Sequence, residues 1–338
     1  MNVTRGAGGI GHVLACVDRS VLSESCVPYA LFLSKTFGAR MTLLHVLEPR
    51  SAPSGMAASD ALGWEIARHE VQAYLDRIRE AVSSAGVPAT TRMTEGHPAA
   101  SIVATGREIG ADVTVLGTHG EGGGRAGCAL GSTAAQVLAS SRGSVLVARS
   151  TSSIPGEFAP KTVLVPLDGS TRAECVLPSA VRIAKAHQSM LLLVHVVMEP
   201  VATAILTAGE DLEHARGLAR RLEVNAERYL GQLQTRLSVE LPSVRALVIR
   251  ATDERRALTE LSVRENVDLI IVSAHGSTAN TARSLGTVSN YLVSLAHPAL
   301  LVLQDLPQLA VTVESEEEAD HYAPPLRGTI HAGPTGVP

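Results

Sequence analysis

Aromatic side chains are scarce in this chain: Phe, Trp and Tyr make up 3% of its 338 residues. Hydrophobic residues nonetheless reach 45%, so a large core is available and it must be aliphatic, built from Val, Leu, Ile and Ala. Cysteine is sparse as well. Cys16, Cys26, Cys128 and Cys175 show no CxxC spacing and no dense framework, which excludes a disulfide scaffold and fits free thiols in a reducing compartment. There is no excess of basic charge, because 29 Lys and Arg face 33 Asp and Glu for a formal net charge of -4. Nothing in that balance points to a nucleic-acid surface. Long apolar runs are missing too. The best, MLLLVHVV, is far shorter than a membrane span, and MNVTRGAGGIGHVL lacks the charged-then-apolar design of a signal peptide. The expectation is a cytoplasmic protein that engages neither membrane nor nucleic acid.

Several site motifs are absent. No GK[ST] occurs, so there is no Walker A loop, and no GxSxG carries a serine nucleophile. GAGGIG at 6–11 matches GxGxxG but precedes the first strand, which is the wrong context for dinucleotide binding. No ligand spacing supports zinc, and no metal site is expected.

What is present is a repeat. HVLACVDRSVLSESCVPYAL answers to TVLVPLDGSTRAECVLPSAV, with Asp18 matching Asp168 and His45 matching His195, both at an offset of 150. Further on, ADVTVLGTHG matches VDLIIVSAHG, taking His119 to His275 at 156, and Gly131-Ser132 matches Gly286-Thr287 at 155. Landmarks in one order with slowly drifting offsets indicate two homologous lobes. The expected division is a first lobe at 10–150, a linker at 151–161 with Pro155 and Pro160, a second lobe at 162–306, and an acidic, Pro/Gly-rich tail at 307–338 without periodicity, read as disordered.

Each lobe alternates strand and helix. HVLACV is a continuous apolar run, as a strand buried on both faces requires. Ser20 can cap the following helix, which ends near Gly38. RMTLLHVL is a second strand, and a helix over 61–84 is stopped by Gly86 and Pro88. TTRMTEG is the third strand, followed by a helix opened by Pro98 and closed by Gly110. DVTVLG and SVLVAR are the fourth and fifth strands, with a helix from Gly131 to about Ser141 between them. The second lobe repeats the order. The fold expected is α/β, with two doubly wound parallel five-stranded sheets carrying helices on both faces, a Rossmann-like arrangement.

In such a sheet ligands bind beyond the carboxyl ends of the strands, where strand order reverses. The stretch GTHGEGGGRAGCALGS, 117–132, leaves the fourth strand there and runs into a helix N-terminus. Free N–H groups and the positive end of the helix dipole suit a phosphate, and glycine lets backbone approach it closely. Ser132 stands at the helix start, where hydroxyl and amide can both meet phosphate oxygen.

These residues, VLGTHG…LGS and VPLDGS…AE in that order, resemble the universal stress protein family, over about 10–150 and 161–306, as a tandem member. The resemblance rests on G-x2-G-x9-G-[ST] after the fourth strand together with an Asp ending the first. It implies binding of ATP, with or without Mg2+, or of a related adenine nucleotide. In lobe 1 it implies Asp18 at the adenosine end, Val46 beside the base, Leu116 and Gly117 ending the fourth strand, and Gly120, Gly131, Ser132 and Thr133 at ribose and phosphates. In lobe 2 the corresponding, weaker set is Pro166, Asp168, Val196, Ser273, Gly276, Gly286, Thr287 and Val288. Two departures mark lobe 1, with ten residues between Gly120 and Gly131 where the family has nine, and Arg19 after Asp18 where it has Gly. In lobe 2 the first glycine is Ser273 and the loop STANTARSL has no glycine, so a Cβ there can obstruct the backbone, and lobe 1 is expected to bind better.

The resemblance further implies that SVLVAR and ALLVL pair across the lobes as an intramolecular pseudo-dimer; a further homo-oligomer and a protein partner stay open. No catalytic residue is assigned. Without a Lys clamp the loop offers backbone donors and little else, so at most slow ATP hydrolysis is expected. Two other readings remain: a nucleotidyl or ATP-hydrolysing enzyme of the adenine-nucleotide α-hydrolase-like group, and an interaction module without nucleotide.

Overall fold

The computed structural model describes residues 9–48, 57–118, 130–141, 143–149, 156–199, 209–277, 285–295 and 298–304. By chain contacts the protein divides into two compact units, Met1–Leu306 and Pro307–Pro338. The expected tail, Gly120 and most of the glycine-rich loop therefore lie outside the described residues.

The first half of the larger unit runs β1 (His12–Cys16), α1 (Val21–Glu24), α2 (Cys26–Phe37), β2 (Arg40–Leu47), α3 (Ala57–Ser84), β3 (Ala89–Glu95), α4 (Pro98–Glu108), β4 (Val113–Gly117), α5 (Ser132–Ser140) and β5 (Ser144–Ala148). The second half repeats it as β6 (Thr162–Pro166), α6 (Thr171–Glu174), α7 (Leu177–His187), β7 (Met190–Met198), α8 (Gly209–Leu237), β8 (Val244–Ala251), α9 (Glu254–Arg264), β9 (Leu269–Ser273), α10 (Thr287–Leu295) and β10 (Ala299–Leu303).

All ten strands form one sheet in the order β3-β2-β1-β4-β5-β10-β9-β6-β7-β8. Pairing is parallel within each half, and the halves join through an antiparallel β5–β10 pair, with Leu300 opposite Val147 and Val302 opposite Val145. Side chains alternate between the two faces of each strand. Val13 and Ala15 face a core with α2, α3, α7 and α8, while Leu14 and Cys16 face one with α4, α5, α9 and α10. Both cores run through both lobes. The eight inner strands are mostly apolar because helices cover both faces, while the edge strands β3 and β8 are only partly buried and carry polar residues.

The helix expected over 20–38 is two helices. Ser20 caps α1 by accepting from the Ser23 N–H. Pro28 has no N–H to give the Glu24 carbonyl, and the chain breaks at Ser25 before resuming as α2, which ends on left-handed Gly38 (φ 66°). Pro178 stands in the same relation to Glu174, the last residue of α6. Helix α3 also begins four residues earlier than the sequence pattern indicated.

Other contacts fasten the lobes together. Phe158, in the segment expected as linker, packs on Tyr29 and Phe32 with ring centroids 4.2 and 5.1 Å away. His187 of α7 hydrogen-bonds the Thr36 hydroxyl of α2 (2.9 Å) beside Phe32. Half-buried Arg149 donates to the carbonyls of Val293 (2.8 Å), Leu292 (3.4 Å) and Pro298 (3.5 Å), meeting the last carbonyls of α10 with positive charge.

Two predictions follow from these contacts. Arg149→Met keeps the apolar stem but strands those carbonyls, and should lower stability by about 1–3 kcal/mol in urea denaturation. An unchanged midpoint would show the contact to be idle. Burial holds the His187 pKa below its ordinary value, against the pull of Glu157. The unfolded chain then binds the proton more readily, so stability should fall as pH drops through about 6.5 toward the lower folded-state value. His187→Gln should flatten that part of the stability–pH curve.

Candidate functional site

At the carboxyl edge of the sheet the two first-strand carboxylates organise the turns that follow them. Asp18 Oδ1 accepts from the Ser20 N–H (3.0 Å) and hydroxyl (2.6 Å), and Asp168 Oδ1 accepts from the Ser170 N–H (3.0 Å). The next residue turns left-handed in both lobes. Gly169 does so freely at φ 80°, whereas Arg19 adopts φ 72° with a Cβ that disfavours it. Arg19 projects to Glu70 (3.1 Å), an exposed pair.

The loops after β4 and β9 close alike. The Thr118 N–H donates to Ala148 O and the Gly131 N–H to Thr118 O, while Ala274 N–H donates to Leu303 O and Gly286 N–H to Ala274 O. Each closure aims the start of α5 or α10 at the sheet edge, where first-turn N–H groups have no partner within the helix. In lobe 2 the second oxygen of Asp168 accepts from the Ser277 N–H (2.7 Å). A Cβ on Gly276 would stand 2.5 Å from that oxygen, and one on Gly286 would stand 3.4 Å from the Ala274 carbonyl. Gly276 thus has a steric reason to be glycine, whereas a Cβ at Gly286 would make only ordinary van der Waals contact.

These elements enclose a cleft of about 770 Å3 lined by Pro166, Asp168, Ser273, Gly276, Gly286, Thr287 and Val288, which brings seven of the eight lobe-2 residues together. Val196 does not line it; it packs against the core on the α4, α5, α9 and α10 face. Ser273 lines the cleft. Its φ is not positive, and its hydroxyl donates back to the His275 carbonyl. Burial pushes the Asp168 carboxyl up, but hydrogen bonds from Ser170 and Ser277 outweigh it and hold the pKa below the usual carboxylate value. Burial, then Asp168 and Asp253, push Glu254 up at the same cleft.

In lobe 1, buried Leu116 and half-buried Gly117 end β4, Gly131 precedes α5, and Ser132 and Thr133 open it. Half-buried Val46, near the end of β2, packs against the same core as Leu116. Sequence reasoning did not find Glu254 or the lining supplied to the lobe-2 cleft by lobe 1, namely Leu130, Ala135, Leu138 and Ala139. The signal was there in the offset of 155 that pairs Leu130 with Leu285 and Leu138 with Val293. Among the described residues, no cluster of three or more His, Cys, Asp or Glu could hold a metal, and no helix is long and apolar enough to cross a membrane.

The universal stress protein family model matches the sequence twice, at residues 9–149 and 160–304. The chain is a tandem universal stress protein. A universal stress protein from Archaeoglobus fulgidus DSM 4304 is similar in fold, with a TM-score of 0.61 and 18% identity over 87% of this chain and 98% of that one. A protein described as functionally unknown from Pseudomonas aeruginosa PAO1 has a TM-score of 0.57 and 13% identity over 88% of this chain and 94% of that one. No curated protein matches the sequence. The two family matches coincide with the repeated halves, and the β5–β10 pair unites them as the pseudo-dimer that the resemblance implied.

Gly276→Ala drives a methyl into the Asp168 carboxylate and should break the Ser277 hydrogen bond. The expected outcome is a loss of stability of about 1–3 kcal/mol that Asp168→Ala in the same chain largely absorbs. Additive losses in the double mutant would contradict the clamp.

Proposed function

We propose that this universal stress protein binds ATP or a related adenine nucleotide and serves as a cytoplasmic stress-response regulatory module. The observation that carries the reading is the lobe-2 loop, where Asp168 accepts from the Ser277 N–H and lies against Gly276, and a cleft opens beside the start of α10. A carboxylate acceptor and backbone donors in one cleft fit a ligand that offers hydroxyls or a base edge as well as phosphate. Among the described residues no Lys or Arg lines that cleft, so phosphate charge would be met by amides, by the α10 dipole and by a divalent cation travelling with the nucleotide. Pro166, Asp168, Ser273, Gly276, Gly286, Thr287 and Val288 would hold it, with Val196 behind them.

The same reading places a nucleotide in lobe 1 on Asp18, Val46, Leu116, Gly117, Gly120, Gly131, Ser132 and Thr133. The composition of the 117–132 loop supports tighter binding there. Regulation, as distinct from turnover, is favoured because the described cleft offers no cation to a developing phosphoryl charge.

Calorimetric titration of the full chain with ATP and Mg2+ tests this. Saturable heat at sub-millimolar ligand is expected, with phosphate or AMP released far more slowly than ligand exchanges. Silence across the millimolar range would instead leave an interaction module without nucleotide, and release at many turnovers per minute would make the protein an enzyme.

A further inference from the structure

The lobe-2 cleft does not end at the phosphate-suited loop. It continues between α5 of lobe 1 and α10 of lobe 2, helices that cover β5 and β10 on one face of the sheet. The two walls are built from equivalent positions, Leu130 with Leu285, Ala135 with Asn290, Leu138 with Val293 and Ala139 with Ser294, each pair separated by 155 residues. Leu138 and Val293 are buried at its base, whereas Ala135 and Ala139, one turn apart on α5, are exposed and too small to fill the space.

The cleft thus has two chemically different ends. One carries Asp168, Glu254, Ser277 and the loop amides. The other carries Leu130, Ala135, Leu138 and Ala139 from lobe 1 and Leu285 and Val293 from lobe 2, with Asn290 and Ser294 the polar residues on the α10 wall. Its volume of about 770 Å3 is toward the upper end of the range for small-molecule sites.

We propose that this cleft takes an amphipathic ligand, a nucleotide whose phosphate bears an apolar ester group that lies between α5 and α10. The inference rests on the nucleotide reading of the same loop and adds the class of ligand. The head is held by one lobe and the apolar group by both, so occupancy ties the lobes together. An ester also leaves one fewer negative charge on the phosphate, which suits a cleft whose described lining holds two carboxylates and no Lys or Arg. The second-lobe loop then differs from the glycine-rich first loop in the ligand it selects.

The test compares AMP with its octyl phosphate ester, titrated calorimetrically into the full chain. Each methylene that leaves water is worth about fourfold in affinity, so an ester with several methylenes buried should bind at least about tenfold more tightly than AMP. Ala135→Trp and Ala139→Trp should each erase that gain while leaving AMP affinity within about twofold. Gln136→Trp, on the same helix and outside the cleft, should preserve it. Equal affinity for AMP and ester, or a gain that survives both tryptophan variants, would overturn the proposal and leave the nucleotide reading standing. Binding of neither compound would overturn both. A dimer in solution that Ala139→Trp converts to monomer would give the groove to a second copy of the chain and overturn the ligand assignment.

Discussion

Everything in the larger unit depends on three antiparallel residue pairs between β5 and β10. Without them each lobe would end on an open apolar strand, and such an edge is a template for uncontrolled pairing. With them two five-stranded sheets become one, both cores run without interruption from lobe to lobe, and α5 lies beside α10 along the join. Backbone hydrogen bonds set this register. Arg149 at the end of α10, the Thr36–His187 hydrogen bond and the Phe158 ring then hold it from both faces of the sheet. The groove that completes the lobe-2 cleft follows from the joining of the strands.

Within each lobe, single carboxylates do work that the glycines alone could not. Asp112 accepts from the Gly11 and His12 N–H groups at the start of β1, and Asp268 does the same for Lys161 and Thr162 at the start of β6. Asp168 links the end of β6 to the loop after β9 by accepting from both Ser170 and Ser277. A charged acceptor hydrogen-bonded to several N–H groups fixes the backbone that donates to it. The shape of the candidate site is therefore set by a carboxylate at its edge, and Gly276 is glycine because that carboxylate lies against it.

Much of this was legible in the sequence. The repeat at offsets near 150–156 marked the two lobes. The continuous apolar runs ending at Asp18 and Asp168, the Ser20 cap and the Gly38 stop each express a local rule that one stretch of chain can satisfy. The strands and the doubly wound order followed, while the β5–β10 join came from the family resemblance. Less legible was anything that depends on two positions read against each other. The break at Ser25 required reading Pro28 against the Glu24 carbonyl four residues earlier. Ser273 turns its hydroxyl onto its own loop, which depends on the position of the His275 carbonyl. Leu130 and Ala139 belong to a cleft centred in the other lobe, and no local pattern on α5 announces that. The loop itself, from His119 to Ala129, lies outside the described residues, so its part in the account stands on composition.

The central claim is that the backbone beside Asp168 is a nucleotide cradle. Amide NMR of the isotopically labelled full chain, titrated with ATP and Mg2+, tests it where the contact would occur. The account predicts saturable shifts concentrated at Gly276, Ser277, Gly286 and Thr287, with the far edge strands β3 and β8 unmoved. Amides at those four positions that stay fixed through millimolar ligand would contradict it.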